Sequence, residues 1–319
     1  MKIAKPLSAS APLRETSKSI PQLLINLLSI TLVIFTPTAS NVANAQTQES
    51  KTFLWKVDSP QNTLYLLGSV HFLKAENYPL PQPMEAAFDD AEGVVFEVNF
   101  NEAQDRAVQQ LVLQKAQPEA EETLIGTLSA QTYNLAKQKA AELGLPMEPF
   151  HNFEPWFFTF SFLPLKLQQL GFEASYGVDQ YFFRQAVAEN KEIVALETLE
   201  YQINLFDNLS AEEQEDLLLQ TLLELDTLET YFNNLITAWF NGDLAEFTAL
   251  FLASFADYPD LKEKFLTQRN RNWLPIIEFL LQQKKDYLVV VGAGHLLGEE
   301  GLIQLLENRG YLIEQVTKQ

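Results

Sequence analysis

Cysteine is absent from the chain, which excludes disulfides, a thiolate nucleophile and any thiolate metal site. Histidine occurs only 3 times, as His71, His151 and His295, so imidazole chemistry must come from these positions. Basic residues are scarce: 22 Lys and Arg stand against 42 Asp and Glu, a formal net charge of −20. A surface of that sign repels nucleic acid and anionic lipid, and neither is expected as a partner. Long apolar runs are lacking as well. Leu23 to Phe35 is mostly apolar but short of the roughly 20 residues a membrane span needs.

That stretch has the makings of an export leader. Lys2, Lys5, Arg14 and Lys18 surround its start, Pro37 ends it, and Ala43-Asn-Ala45 supplies a small-x-small cleavage pattern before Gln46. Residues 1–45 are expected to be a signal peptide, with an uncleaved N-terminal anchor as the rival. No Cys follows, which excludes a lipoprotein anchor. Export without cysteine suits a periplasmic or secreted protein held by its core alone. Residues 46–319 are long for one domain yet tolerable, and ample for a sizeable core.

The clearest local signal lies near the C-terminus. Tyr287 to Val291 is a β-branched apolar run, expected to be a strand buried on both faces. It breaks at Gly292-Ala-Gly294, and His295 sits just past the break. The same device occurs earlier, where Thr63-Leu-Tyr-Leu-Leu67 runs into Gly68-Ser-Val-His71. A His just beyond the end of a buried strand is where open α/β sheets put their chemistry.

Other strands are expected at Phe53–Val57, Val94–Val98, Lys191–Glu197 and Tyr311–Val316, with Asp58-Ser-Pro-Gln-Asn62 as a hairpin turn. Residues 101–147 have a helical pattern with Ser129 as an N-cap and Gly144 as a stop. Ser210-Ala-Glu-Glu213 is a capping box, opening one long leucine-rich helix that ends near Gly242. The aromatic stretch from Pro149 to Phe172 is expected to be a buried helix pair, although an apolar groove could use the same residues. The fold expected is α/β: a central mixed β-sheet with flanking helices, two pseudo-symmetric strand–GxxH halves and a helical insertion at about 200–285.

Two His and two Glu at strand ends can converge if their strands are neighbours. Neutral imidazole with carboxylate is a ligand set for Zn, Mn or Co. A divalent metal held so lowers the pKa of bound water, and a spare carboxylate serves as base. Each residue also has a plainer explanation. A His after a Gly turn commonly bonds backbone. Glu97, inside an apolar strand, must be paired or ligated, and a salt bridge to Arg269 or Arg184 would suffice. Glu197 could be solvated, Asp179 could cap its helix, and Arg269-Asn270 could lie on a wetted helix face rather than contact an oxyanion or carboxylate. His151 lacks strand or glycine context and is taken as structural.

Taken together, Gly68-Ser-Val-His71, Phe96-Glu97, Tyr176-Gly-Val-Asp179, Leu196-Glu197-Thr198, Arg269-Asn270 and Gly292-Ala-Gly-His295 resemble the TraB/PrgY/GumN family from about Phe53 to Val316. That family includes the Tiki proteases and is related more distantly to erythromycin esterases and a haem-binding iron-uptake lipoprotein. Ser69 stands where the family often has Thr, and Asn99 where an acidic residue is common. The resemblance implies a metal-dependent hydrolase of the peptidase type. His71 and His295 would be metal ligands or direct catalytic residues, Glu97 a ligand or base, and Glu197 a further ligand. Asp179, Tyr176, Arg269 and Asn270 would complete the site. The alternative is a protein of the same fold that sequesters a peptide or haem without turnover; a macrolide-type esterase is a third. Peptide or small-molecule substrate is the expected partner, with no stable membrane span after leader cleavage.

Overall fold

The chain reverses at Asp58-Ser-Pro-Gln-Asn62, where the Ser59 amide donates to the Asn62 carbonyl at 3.0 Å and the Ser59 hydroxyl accepts from the Asn62 amide at 3.0 Å. The turn joins Lys51–Asp58 (β1) to Thr63–Ser69 (β2) as an antiparallel pair with Asp58 opposite Thr63. The structure, a computed structural model, describes residues 51–118, 123–253, 255–256 and 258–318. The expected leader, 1–45, lies outside the described residues.

Gly93–Phe96 (β3), Glu192–Ala195 (β4) and Tyr287–Gly292 (β5) join β2 in parallel, and Leu312–Thr317 (β6) pairs antiparallel with β1. The strand order is β4-β3-β5-β2-β1-β6. Every residue of β3 and β5 is buried, as central strands covered on both faces should be. The chain is thus the mixed α/β sheet with flanking helices that its sequence pattern predicts.

The covering helices come from the connections that follow the β1–β2 hairpin. Gln82–Asp90 (α1) lies between β2 and β3; Arg106–Lys115 (α2), Leu124–Thr127 (α3), Ala130–Leu143 (α4), Pro155–Gln169 (α5) and Val178–Ala188 (α6) lie between β3 and β4. Leu199–Asp207 (α7), Ala211–Glu224 (α8), Leu228–Asn241 (α9), Leu244–Ala253 (α10), Pro259–Lys262 (α11) and Gln268–Leu280 (α12) separate β4 from β5, and Leu302–Glu307 (α13) precedes β6. Ser129 caps α4 by accepting from the Thr132 amide, and Gly144 ends it with φ +71°. No helix among the described residues is long and apolar enough to cross a membrane.

Two expectations are corrected. The helix after Ser210 is two helices, broken at Leu225–Thr227. There the Thr227 amide and hydroxyl both bond the Glu224 carbonyl, at 3.0 and 3.1 Å, while Asp226 turns away to hold Lys139 at 2.8 Å. A side chain that bonds nearby backbone competes with helix continuation. The aromatic stretch forms one helix, α5, not a pair. Pro155 opens it, and Trp156, Phe158, Phe160 and Phe162 are buried along it.

Parallel register makes the sheet produce a site. Val290 faces both Leu67 and Phe96, and Phe96 faces Ala195, so β2, β5, β3 and β4 pass through one row just before their chemistry-bearing residues.

Candidate functional site

One residue beyond that row, the pairing continues into the loops. The Leu196 amide donates to Phe96 O and the Glu197 amide to Glu97 O, both at 2.9 Å, which sets the two glutamates side by side. Glu97 Oε1 accepts from the Gly292 amide at 2.8 Å. Ser69 lies opposite Gly292. The two Gly-x-x-His turns thus leave adjacent strands, with the glutamates on the strands next along the sheet.

At the centre of this group stands Arg269, delivered from the first turn of α12. The preceding turn, Glu263–Thr267, is a π-helical turn, a local widening often found beside functional residues. Its Phe265 carbonyl accepts from Arg269 Nη1 at 3.1 Å. The other donors reach Glu97 Oε2 (Nη2, 2.5 Å), Glu197 Oε1 (Nη2, 2.7 Å; Nε, 3.0 Å) and His295 Nε2 (Nη1, 3.0 Å). All five N–H groups of the fork are therefore engaged. Trp273, one turn on, lies under the guanidinium at 4.7 Å and donates its indole N–H to Glu197 Oε2 at 2.9 Å. Gln202 donates to Glu97 Oε2 and Glu197 Oε1 at 3.2 and 2.8 Å. Burial alone would depress the Arg269 pKa, but the charges of Glu197 and Glu97 override it and keep the guanidinium protonated.

His295 is fully buried against Trp273, ring centroids 4.4 Å apart. Burial first, then the Arg269 charge and His71, hold its pKa well below 6.5, so it is neutral. Because Arg269 can only donate, His295 Nε2 accepts; its proton is on Nδ1 and goes to Asn270 Oδ1 at 2.7 Å. The Asn270 amide donates in turn to the Glu300 carbonyl at 2.8 Å, which fixes its orientation. These bonds specify the tautomer.

His71 is different. Its Nδ1 lies 2.6 Å from Asp179 Oδ2, while its Nε2 is buried and bonds no atom of the described residues. Burial pushes this imidazole down, but the charge and hydrogen bond of Asp179, helped by Glu97, outweigh it and raise the pKa above 6.5. The pair is locked by backbone: the Val178 amide donates to Val70 O at 3.0 Å, and a Cβ at Gly177 would lie 2.4 Å from the His71 carbonyl oxygen. Ser69 Oγ, also buried, bonds no atom of the described residues, and with His71 it lines two cavities.

The sequence-predicted residues therefore divide in two. Glu97, Glu197, Arg269, Asn270 and His295 form one bonded network; His71 and Asp179 form a second pair sharing a cavity with Glu97. Tyr176 lies just outside: its carbonyl accepts from the Tyr78 hydroxyl at 2.7 Å, and the two rings pack 6.1 Å apart. His151 is exposed and is held through its backbone, its amide donating to Glu148 O at 3.3 Å and its carbonyl accepting from the Leu124 amide at 2.9 Å. Glu197 is ion-paired with its side chain 6% exposed, and Asp179 holds His71 instead of capping its helix. Arg269, 1% exposed, is no part of a wetted face. Gln202 and Trp273 were not singled out from sequence, and Trp273 could have been: it sits four residues from Arg269, on the same side of a helix.

A divalent ion does not fit the donor set as arranged. Glu97, Glu197 and His295 all accept from Arg269, and an ion ligated by the three would have to displace the guanidinium. Among the described residues no group of three or more His, Asp or Glu is disposed to hold a metal.

A mixed sheet with a buried Arg–carboxylate–His centre at its strand ends and a carboxylate-held imidazole beside it defines the class. The chain belongs to the TraB/PrgY/gumN family, which it matches over residues 53–315. It is similar to the uncharacterized protein YbaP of Escherichia coli strain K12, with 24% identity over 242 residues, covering 76% of this chain and 87% of that one. YbaP of Shigella flexneri aligns with the same figures. An uncharacterized protein of Treponema pallidum strain Nichols is 21% identical over 276 residues, 81% of each chain. No solved structure matches.

Proposed function

We propose that the chain is an exported hydrolase, of the peptidase type, that attacks an acyl carbonyl with water activated at His71. One observation carries the reading: Asp179 holds His71 Nδ1 at 2.6 Å, while Nε2, at a cavity wall, has no hydrogen-bond partner among the described residues. A carboxylate on Nδ1 fixes the proton there and leaves Nε2 as the base. Neutral His71 would take a proton from water as its oxygen attacks the carbonyl carbon, then return that proton to the leaving nitrogen. Asp179 would stabilise the imidazolium in between. In this reading the Arg269 network holds the strand-end turns in place, and Arg269 is a neighbouring source of positive charge. The leader Lys2–Ala45 is what supports export, to the periplasm or beyond.

Dependence on Mn, Co or Zn, which the family resemblance implies, is a separable part of the proposal. It requires Arg269 to withdraw from Glu97, Glu197 and His295, and no step above is routed through an ion. The apolar walls beside His71 favour one other reading, a protein that holds a peptide or haem without turnover.

The test is cleavage of peptide and ester libraries by purified mature chain, with chelator and with each metal added, alongside His71→Ala and Asp179→Asn. Turnover that survives chelation and is lost in His71→Ala supports the imidazole base. Turnover appearing only with added metal supports the ion-dependent form. Saturable peptide or haem binding without product in any arm overturns the hydrolase and leaves the binder.

A further inference from the structure

We propose that the larger cavity beside His71 is the recognition pocket for an uncharged, apolar group, aromatic or branched aliphatic, flanking the bond that is cut. This rests on the hydrolytic reading above and names the substrate class that such a site would take.

The cavity opens partly to solvent and is walled mostly by apolar side chains, the character typical of small-molecule pockets. Its walls are Leu163 and Leu167 of α5, Phe232 and Leu235 of α9, and Phe247 and Phe251 of α10. Among the described residues, polar side chains enter from Ser69 and His71 alone. Among the described residues none lining it apart from His71 can carry a charge, so a carboxylate or ammonium group seated among the leucines and phenylalanines would lose its water and gain no partner there. An apolar group loses nothing by entering.

The other side of the same imidazole is polar. A smaller cavity is also lined by Ser69 and His71 but adds Glu97 and Asp179. His71 is thus shared by an apolar chamber and a polar one, which suits a substrate whose reacting end is polar and whose neighbouring substituent is not.

The rings that line the apolar chamber are packed against one another and against the sheet. Phe247 stacks on Phe251 at 6.0 Å and packs against Phe53 of β1 at 4.8 Å. Phe232 meets Phe172 edge to face at 5.0 Å. Phe251 lies directly on the turn that carries His295, since a Cβ at Gly294 would fall 2.0 Å from its ring. An apolar chamber so packed discriminates by shape, and a single methylene in such a pocket changes kcat/KM by about 10- to 200-fold.

The test uses N-acetyl-glycyl, -leucyl, -phenylalanyl and -naphthylalanyl para-nitrophenyl esters, with phenylpropanol as a probe that has no bond to cut. Wild-type chain is expected to prefer the phenylalanyl over the glycyl ester by at least about tenfold in kcat/KM and to bind phenylpropanol saturably by ligand-observed NMR. Leu235→Trp, which fills the chamber, should collapse the ratio towards one and weaken phenylpropanol binding about tenfold. Phe232→Ala, which enlarges it, should move the optimum to the naphthylalanyl ester, and it carries the test if Leu235→Trp does not fold. Cleavage without preference, or preference unmoved by either variant, overturns the pocket and leaves the hydrolase. Probe binding lost in Leu235→Trp with no ester cut overturns the hydrolase and keeps the chamber as an apolar binding site. A wild-type chain that binds no phenylpropanol and shows no preference ends the proposal.

Discussion

Arg269 Nη1 donates to His295 Nε2 across 3.0 Å, and this one bond decides where protons sit in the buried centre. An arginine cannot accept, so His295 must be neutral with its proton on Nδ1, and the two glutamates must share the one guanidinium. A fully desolvated cation thus holds three turns from three strands together. The arrangement is costly to build and far more costly to break, because deleting one partner strands the others.

Arg269→Ala should therefore destabilise the chain by about 3–5 kcal/mol, the range for removing one partner of a buried ion pair. Arg269→Lys should recover only a minor part, since an ammonium cannot span Glu97, Glu197 and His295 together. Urea unfolding of the three proteins is the measurement. A loss under about 1 kcal/mol for the alanine variant, the level of an exposed pair, would mean that the network contributes little to stability.

The neutral state of His295 predicts a pH dependence of stability. Its folded pKa is depressed below 6.5, so below that pH the unfolded chain takes up a proton that the folded chain refuses. Stability from this group is complete above pH 6.5 and is lost as pH falls from 6.5 towards the folded value. Thermal melts in steps from pH 7 to 4.5 should show a decline that is shallower in His295→Gln. Parallel curves for the two proteins would mean that His295 is protonated in the fold.

His71 should titrate in the opposite sense. Its raised pKa means that stability from the Asp179 pair is fully present below pH 6.5 and lost as pH rises through the folded value. Because a base must be neutral, the acid limb of any activity profile should lie above pH 6.5. Asp179→Asn removes the cause of the rise while burial remains, so the imidazole pKa should drop, and activity should fall by 10²–10⁴-fold. Ring-proton NMR reads the pKa without turnover, and with 3 histidines single variants assign every signal. A His71 midpoint at or below 6.5 in wild type would remove the coupling.

How much of this was legible in sequence depends on the range of the forces involved. The strands were, because β5 is an apolar run closed by Gly292 and β3 one opened by Gly93, a pattern set by burial of the strand itself. So was the convergence of His71, His295 and Glu97, since parallel strands bring their C-terminal ends to one edge. Arg269 was legible only as a residue type: in Arg269-Asn270-Arg271-Asn272 nothing local shows that the first two residues are buried and the last two exposed. Burial there is decided by Glu97 and Glu197, far away in the chain. Gln202 was missed for the same reason, being a polar helix residue whose two partners lie at strand ends. The break at Leu225–Thr227 escaped because Asp226 answers to Lys139 on another helix.

Gly294 links the His295 turn to the apolar chamber, and its substitution should be felt in both. A methyl group there would fall 2.0 Å from Phe251 Cζ, with the other ring atoms at 2.3 and 2.6 Å, so the ring must move. Phe251 has little freedom, packed against Phe247 at 6.0 Å and Phe255 at 5.7 Å. Gly294→Ala should cost about 1–3 kcal/mol, the range for overpacking a filled core, and push Phe251 into the chamber. Unfolding midpoints read the first effect. The second appears as weaker phenylpropanol binding than in wild type at a temperature where both proteins are folded. Loss of stability with the probe bound as tightly as before would mean that the turn yields instead of the ring, and that the chamber floor is set by α10 alone.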